Sequence, residues 1–361
     1  MKALVIARTG RLEDTPLELR DVPVPVPAAG EILIKVSACG ACHTELDEIE
    51  GRTPPPKLPV IPGHQIVGTV TSVGPKQSSI SNLESKMPKV GDRVGVAWIF
   101  SACGECEYCR NGQENLCPDF KATGRDANGG YAEYMTVPEA FAHPIPSVFS
   151  DAEAAPLLCA GAVGYRSLRL AGWGLGHNPN SAAELGYVPR PTLGLTGFGA
   201  SGHLVLKMVK HLQPETRAYV FARSKEEQAF ARELGAAWTG DTNDRAPELL
   251  DAVIDTTPVW GPVVAALENL KPGGRLVINA IRKEETDKQA LLGLDYAKHL
   301  WMEKEVKSVA NVTRQDVREF LALAARIPIK PEVQEYPLEA ANQALLELKQ
   351  RKIRGAKVIR I

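Results

Sequence analysis

The sequence predicts an α/β protein of two domains, with a Gly/Pro-rich β domain in the first half and a doubly wound parallel sheet in the second. Three observations lead there. A chain of 361 residues, 44% hydrophobic and 24% charged, is long enough for two cores. Its first half alternates short apolar runs with turn residues, whereas its second half alternates strand and helix patterns, which implies a parallel sheet covered on both faces. The third observation is a glycine-rich turn, Gly197-Phe-Gly199-Ala-Ser-Gly202, lying between a predicted strand and a predicted helix.

The elements follow in order. Met1–Arg8 has an apolar run too short for a signal peptide and reads as a first strand. Gly30–Ser37, Gln65–Val73 and Asp92–Ala97 read as further strands, with few helices among them. The second half gives Thr192–Thr196 then a helix over Ala200–Leu212, Arg217–Phe221 then Lys225–Leu234, and Ala252–Asp255 then Val263–Leu270, followed by a strand over Arg275–Ile281. One helix (Arg314–Arg326) and a short strand (Ala356–Ile361) close the chain. The stretches 76–86 and 172–191 read as surface insertions with no assigned role. No run approaches the length of a transmembrane helix. The formal net charge of -1 provides no basic field for nucleic acid or anionic lipid, so small-molecule work is favoured.

Seven cysteines fall at 39, 42, 103, 106, 109, 117 and 159 in a chain that reads as intracellular and reduced. Cys103, Cys106, Cys109 and Cys117 are separated by two, two and seven residues, and four thiolates so close can wrap one tetrahedral ion. Two disulfides and an iron–sulfur cluster are the alternatives, the first at odds with the compartment and the second with the last gap. A closed four-cysteine zinc site leaves no room for substrate, so its work is to order its lobe.

The G-x-G-x-x-G of Gly197, Gly199 and Gly202 allows a tight turn, close approach of a pyrophosphate to backbone N–H groups, and close helix–strand packing. The acidic residue that usually ends the second strand and bonds an adenosine ribose is missing. Arg223, Ser224 and Lys225 stand there instead, which favours NADP(H) over NAD(H). The alternative is that Arg223 stacks on adenine or faces solvent.

Cys42 and His64, each at a loop beside a strand, are plausible metal ligands, and Cys159 is a third where the β domain gives way to the second half. Two cysteines and one histidine would leave the fourth zinc position open.

With Cys42-His-Thr, Pro62-Gly-His64, Gly91-Asp-Arg-Val94, the four-cysteine lobe, Leu157-Leu-Cys159-Ala-Gly161 and the Gly-rich turn in this order, the chain resembles the zinc-dependent alcohol dehydrogenases of the medium-chain dehydrogenase/reductase superfamily. The resemblance runs over nearly the whole length. It implies a GroES-like catalytic domain from residues 1–160 and 312–361, with a structural-zinc lobe near 98–120, and a Rossmann domain over 161–311, the active-site cleft lying between them. It makes Cys42, His64 and Cys159 the catalytic zinc ligands, Thr44 the hydroxyl that takes the alcohol proton, and His43 a contact of the cofactor phosphates. Asp47 stands where a histidine usually ends the relay and is expected to exchange protons with water. Trp98 matches an aromatic that narrows the substrate pocket, the alternative being a core tryptophan.

The expected reaction is reversible hydride transfer between a small alcohol and NAD(P), with two zinc ions per subunit. A cinnamyl- or polyol-type reductase is the nearer alternative, and a quinone-reductase-like binding protein without catalysis the more distant one. A cytoplasmic homo-oligomer, dimer or tetramer, without nucleic-acid or membrane partners is expected. Besides Asp47, three departures bear on rate, pH optimum and substrate range: Gln65 replaces a common Glu, Glu45 a common Asp, and Val163 a common Thr. Cys39 is expected to be a buried small side chain, His143, His177, His203, His211 and His299 structural or solvated, and Arg354 either a pyrophosphate contact or a surface cation.

Overall fold

β3 organises the first half of the chain, because an 11-residue strand can carry different partners along its length. In the computed structural model, which describes residues 1–75, 87–173, 191–327, 329–350 and 354–361, β1 (Lys2–Ile6) and β2 (Leu17–Asp21) form an antiparallel pair, and β3 spans Glu31–Ala41. The stretch 76–86 and nearly all of 172–191 lie outside the described residues. Ile32, Ile34 and Val36 alternate inward, and from Ala38 to Ala41 every side chain is buried. After β3 come α1 (His43–Ile49), β4 (Ile66–Val73), β5 (Arg93–Val96), β6 (Ile99–Ser101), α2 (Glu107–Arg110), β7 (Lys121–Ala122), β8 (Tyr134–Pro138) and β9 (Ala142–Pro144). β4 runs along one edge of β3, and β8 pairs with its first half. Two short helices, α3 (Asp151–Ala154) and α4 (Ala160–Leu170), flank Cys159.

The next strands are β10 (Thr192–Thr196), β11 (Arg217–Phe221), β12 (Trp238–Gly240), β13 (Leu250–Asp255), β14 (Leu270–Ile278) and β15 (Glu305–Ser308). Between them lie α5 (Ala200–Leu212), α6 (Lys225–Glu233) and α7 (Gly261–Glu268). The sheet order β12-β11-β10-β13-β14-β15 is parallel throughout, the 3-2-1-4-5-6 order of a doubly wound dinucleotide fold. β10 is buried along its whole length, as a strand covered on both faces must be. One face packs Phe221, Val253 and Leu276 against Val263, Ala266 and Leu267 of α7. The helix placed at 263–270 by the sequence begins two residues earlier, because Pro262 suits a first helical turn, and stops before Leu270, which opens β14.

The chain then returns through α8 (Arg314–Arg326), β16 (Val333–Pro337), α9 (Ala341–Lys349) and β17 (Ala356–Arg360). β17 pairs antiparallel with Ala38–Ala41, which explains why the second half of β3 is buried on both faces. The sheet order is β16-β17-β3-β4-β5-β9. Sequence reading missed β16 and α9, although Ala341, Ala344, Leu345 and Leu348 recur at helical spacing and are all buried. Two units result, Met1–Ala162 with Val312–Ile361, and Val163–Asn311. Among the described residues no helix is long and apolar enough to cross a membrane.

Candidate active site and metal lobe

Cys42 lies at the N-cap of α1, where the sequence suggested a loop. Its extended backbone ends β3, its N–H donates to Glu45 Oε2 (2.9 Å), and its Sγ accepts from Thr44 N (3.4 Å). The arrangement is a capping box with cysteine in the place of serine or threonine, and it fixes the thiol at the head of the helix.

His64 enters from the other side. Gly63 has φ +98°, and a Cβ there would meet the Tyr131 ring at 2.6 Å, so only glycine lets the chain turn into β4. His64 is buried, with Nδ1 2.6 Å from Glu45 Oε1 and Nε2 3.6 Å from Cys42 Sγ. One buried carboxylate therefore holds both the Cys42 backbone and the His64 ring, leaving Nε2 as the presented nitrogen. Burial opposes charge on the ring, but Glu45 and Cys42 outweigh it and raise the His64 pKa well above the usual value. Sequence reading took Glu45 only as a longer aspartate; its position three residues after an N-cap was the available signal.

Cys159 sits at a break between a 3-10 turn, Ala155–Leu158, and α4, with φ -124° and ψ -77°. Two residues on, a Cβ at Gly161 would lie 2.3 Å from the Phe320 ring, so α8 packs closely behind this segment. Donor atoms of Cys42, His64 and Cys159 all lie within 4.8 Å of one another. Bonds of about 2.3 Å to sulfur and 2.0–2.1 Å to nitrogen at a tetrahedral ion put those donors about 3.6 Å apart, which is the Cys42–His64 separation. The surroundings fit a cation as well. The Cys159 thiol, burial and Glu45 push the Cys42 thiol well up, and Glu48 is buried with neither carboxylate oxygen bonded, its pKa raised by burial and by Glu45. The residues present therefore suit a divalent zinc ion with an open fourth position.

Thr44 is half-buried and His43 exposed, both in the first turn of α1. Asp47 lies further along the same helix. It is 5% exposed and accepts from Arg52 Nε at 2.6 Å, so its carboxylate meets a guanidinium rather than open water. Arg52 also pairs with Glu50. Gln65 is buried beneath Gly40, where a Cβ would strike its Oε1 at 2.5 Å. Val163 is buried. Trp98 is half-buried and tilts against Phe120 at 5.0 Å between centroids, while its Nε1 is unbonded.

The lobe cysteines converge too. Their sulfurs lie within 4.8 Å of one another, with Cys103–Cys109 at 3.9 Å and Cys103–Cys117 at 3.5 Å. A zinc tetrahedron with bonds of about 2.3 Å has edges of about 3.8 Å; a disulfide needs about 2.05 Å, and all seven cysteines are free. Backbone N–H groups of Glu105 and Cys106 lower the Cys103 thiol to about 7, while burial raises Cys109 to about 12. Glu114, inside the lobe, accepts from Arg314 N and Nε (2.9 and 3.0 Å), tying it to α8.

In the second unit the glycines of the turn differ in what constrains them. Gly197 has φ +81°, and its Cβ would strike Thr256 Oγ1 at 2.5 Å; a Cβ at Gly202 would meet Gly197 O at 2.7 Å. A Cβ at Gly199 meets nothing within 4 Å, so the fold itself does not need glycine there and the free space suits a pyrophosphate. Arg223 is exposed, Ser224 caps α6 by accepting from Glu227 N, and Lys225 donates to Gln228 Oε1 at 3.2 Å. Of the remaining residues, Cys39 is buried, His143 is buried with its pKa lowered to about 3 by desolvation and by Arg318 and Arg314, and His203 and His299 are buried. Arg354 pairs with Glu332 at the surface. His177 lies outside the described residues.

Residues 28–147 match the alcohol dehydrogenase GroES-like domain family. The chain is 42% identical over 361 residues to a probable alcohol dehydrogenase AdhA of Mycobacterium tuberculosis, covering 100% of this chain and 97% of the relative. It is 34% identical to an alcohol dehydrogenase of Geobacillus stearothermophilus, covering 96% of each. The chain belongs to the zinc-type medium-chain alcohol dehydrogenases. Among solved structures it resembles a Sorghum bicolor cinnamyl alcohol dehydrogenase (26% identity, TM-score 0.78, 99% of this chain and 97% of that one). A cobalt- and zinc-bound thermostable alcohol dehydrogenase of Pyrobaculum aerophilum shares the fold (24% identity, TM-score 0.80, 100% and 99%).

In this alcohol dehydrogenase the two cysteine groups predict different losses. Cys106→Ala is expected to lower the melting temperature by several degrees and to free the lobe to proteolysis, because a closed site contributes folding energy. Thermal unfolding and limited proteolysis check it; unchanged values would mean that the lobe holds itself together without an ion.

Proposed function

We propose that the enzyme oxidises small primary or secondary alcohols, and reduces the corresponding aldehydes or ketones, with NADP(H), using one catalytic and one structural zinc per subunit. The convergence of Cys42, His64 and Cys159 at donor separations suited to an open tetrahedral ion carries this reading.

Cys42, His64 and Cys159 would hold the catalytic zinc, and the four lobe cysteines the structural one. When bound, zinc polarises the alcohol oxygen and the nicotinamide accepts the hydride. Glu45 keeps His64 Nδ1 occupied so that Nε2 faces the metal. Thr44, next but one to Cys42, takes the alcohol proton on its hydroxyl oxygen. Asp47, one turn further along α1, is the outer acceptor, and Arg52 fixes its carboxylate. Trp98 limits substrate size. The Gly197–Gly202 turn receives the cofactor pyrophosphate, with His43 as a further phosphate contact. Initial rates over a panel of alcohols and aldehydes with each cofactor, together with metal analysis, test the proposal; turnover without stoichiometric zinc would refute it, and preference for cinnamyl or polyol substrates would select the related reductases.

The cofactor preference has its own test. Arg223 is exposed with no recorded hydrogen bond or ion pair among the described residues, so its guanidinium is available to a 2′-phosphate, whereas Ser224 and Lys225 already have bonds within α6. Charge-assisted bonds are worth roughly 1.5–3 kcal/mol each, so NADP(H) is expected to be preferred by about tenfold or more. Arg223→Ala should remove most of that preference and leave NAD(H) kinetics unchanged. An unmutated enzyme with equal or better kcat/KM for NAD(H) would place Arg223 over the adenine or in solvent.

A homo-oligomer in the cytoplasm belongs to the same reading. Leu292, Tyr296, Trp301 and Val306, in and just before the edge strand β15, are exposed, and apolar side chains exposed beside a sheet edge are of the kind that a second copy covers.

A further inference from the structure

Lys283 is a buried lysine beyond the end of β14 whose ammonium is fully used. Its side chain is 7% exposed and pairs with the fully buried Asp255, the last residue of β13. It also donates to Thr257 O (2.7 Å) and Val259 O (3.1 Å). Asp255 accepts in turn from Thr257 N (3.3 Å) and Thr257 Oγ1 (2.7 Å). The segment 255–259 is thus wound around one buried ion pair. Asp287, from the same loop as Lys283, accepts from Trp260 N and Gly261 N, both at 2.8 Å, and so fixes the start of α7.

The segment held in this way lies against the glycine-rich turn. Thr256 N and Oγ1 donate to Thr196 O (2.8 and 3.0 Å), and Thr256 Oγ1 fills the space that a side chain at residue 197 would need. β10 and β13 are neighbours at the point where the strand order reverses, and in such sheets a dinucleotide binds across the carboxyl ends there. With the adenosine half assigned to the end of β11, the other half lies over β13 and β14. A buried ion pair is a poor device for stability, since desolvation offsets its attraction, and its best-attested use is to fix one arrangement.

We propose that Lys283 is a positioning residue for the cofactor: through Asp255 and the carbonyls of Thr257 and Val259 it holds the loop after β13 in the shape that receives the nicotinamide half. The proposal rests on reading the Gly197–Gly202 turn as the cofactor site. Its test uses the double variant Lys283→Met/Asp255→Asn, which leaves no unpaired buried charge, with calorimetric binding of NADPH, NADH, ADP and 2′,5′-ADP and a melting curve. The expected result is a folded protein whose Kd for the preferred dinucleotide rises about tenfold or more as preorganisation is lost, while the adenosine-half fragments bind as before. Wild-type dinucleotide affinity, or equal weakening of fragments and dinucleotides, overturns it. Thr257→Val spares both buried charges and covers failure of the double variant to fold; it should weaken the dinucleotide selectively, and an unchanged Kd again overturns the proposal. Gly199→Val separates the underlying reading, since it should abolish binding of dinucleotides and fragments together; if it binds normally, the turn is not the cofactor site.

Discussion

Cys159→Ala is expected to abolish turnover while leaving the fold and the lobe intact. Its sulfur is one of three convergent donor atoms that could hold an ion, and it lies at a backbone break between a 3-10 turn and α4, so its removal should cost that ligand without disturbing either helix. A zinc ion held there would supply several kcal/mol of stabilisation to charge on the alcohol oxygen, so its loss corresponds to about a thousandfold or more in kcat/KM. Bound metal should fall from two equivalents to one, with the remaining equivalent resistant to mild chelation. Initial rates, metal analysis and a melting curve check this together. A variant that keeps two zinc ions and normal turnover would remove Cys159 from the site.

Thr44→Val is expected to cut alcohol oxidation by about a hundredfold, the range of a positioned acid–base group. The substitution keeps the β-branched shape and the backbone N–H that donates to Cys42 Sγ, so the N-cap survives and only the hydroxyl is lost. Metal content and cofactor affinity should therefore stay at wild-type values while kcat falls. Asp47→Asn should have a smaller effect and should also loosen Arg52, whose Nε bonds that carboxylate. Steady-state rates beside cofactor titration separate the two roles. Normal oxidation by Thr44→Val would mean that the alcohol proton leaves by another route.

Much of the architecture was legible in local patterns. The strand–turn–helix around Gly197, Gly199 and Gly202 appears where the sequence put it, and α5, β10, β11 and α8 have the predicted ends, because apolar periodicity and glycine spacing act over a few residues. The short gaps of the four-cysteine lobe likewise bring its four sulfurs together. By contrast, α9 and β16 were missed, and Cys42 was taken for a loop residue because cysteine is an unusual N-cap.

The sequence by itself therefore determined the fold class, the four-cysteine lobe and the glycine-rich turn, since each is written in residues close along the chain. Only the tertiary structure decided how distant residues share their bonds. Glu45 of α1 reaches His64, and Lys283 closes on Asp255 across 28 residues. A buried carboxylate or ammonium must be bonded by whatever the fold brings near it. That partner is chosen by packing, which sequence spacing does not record.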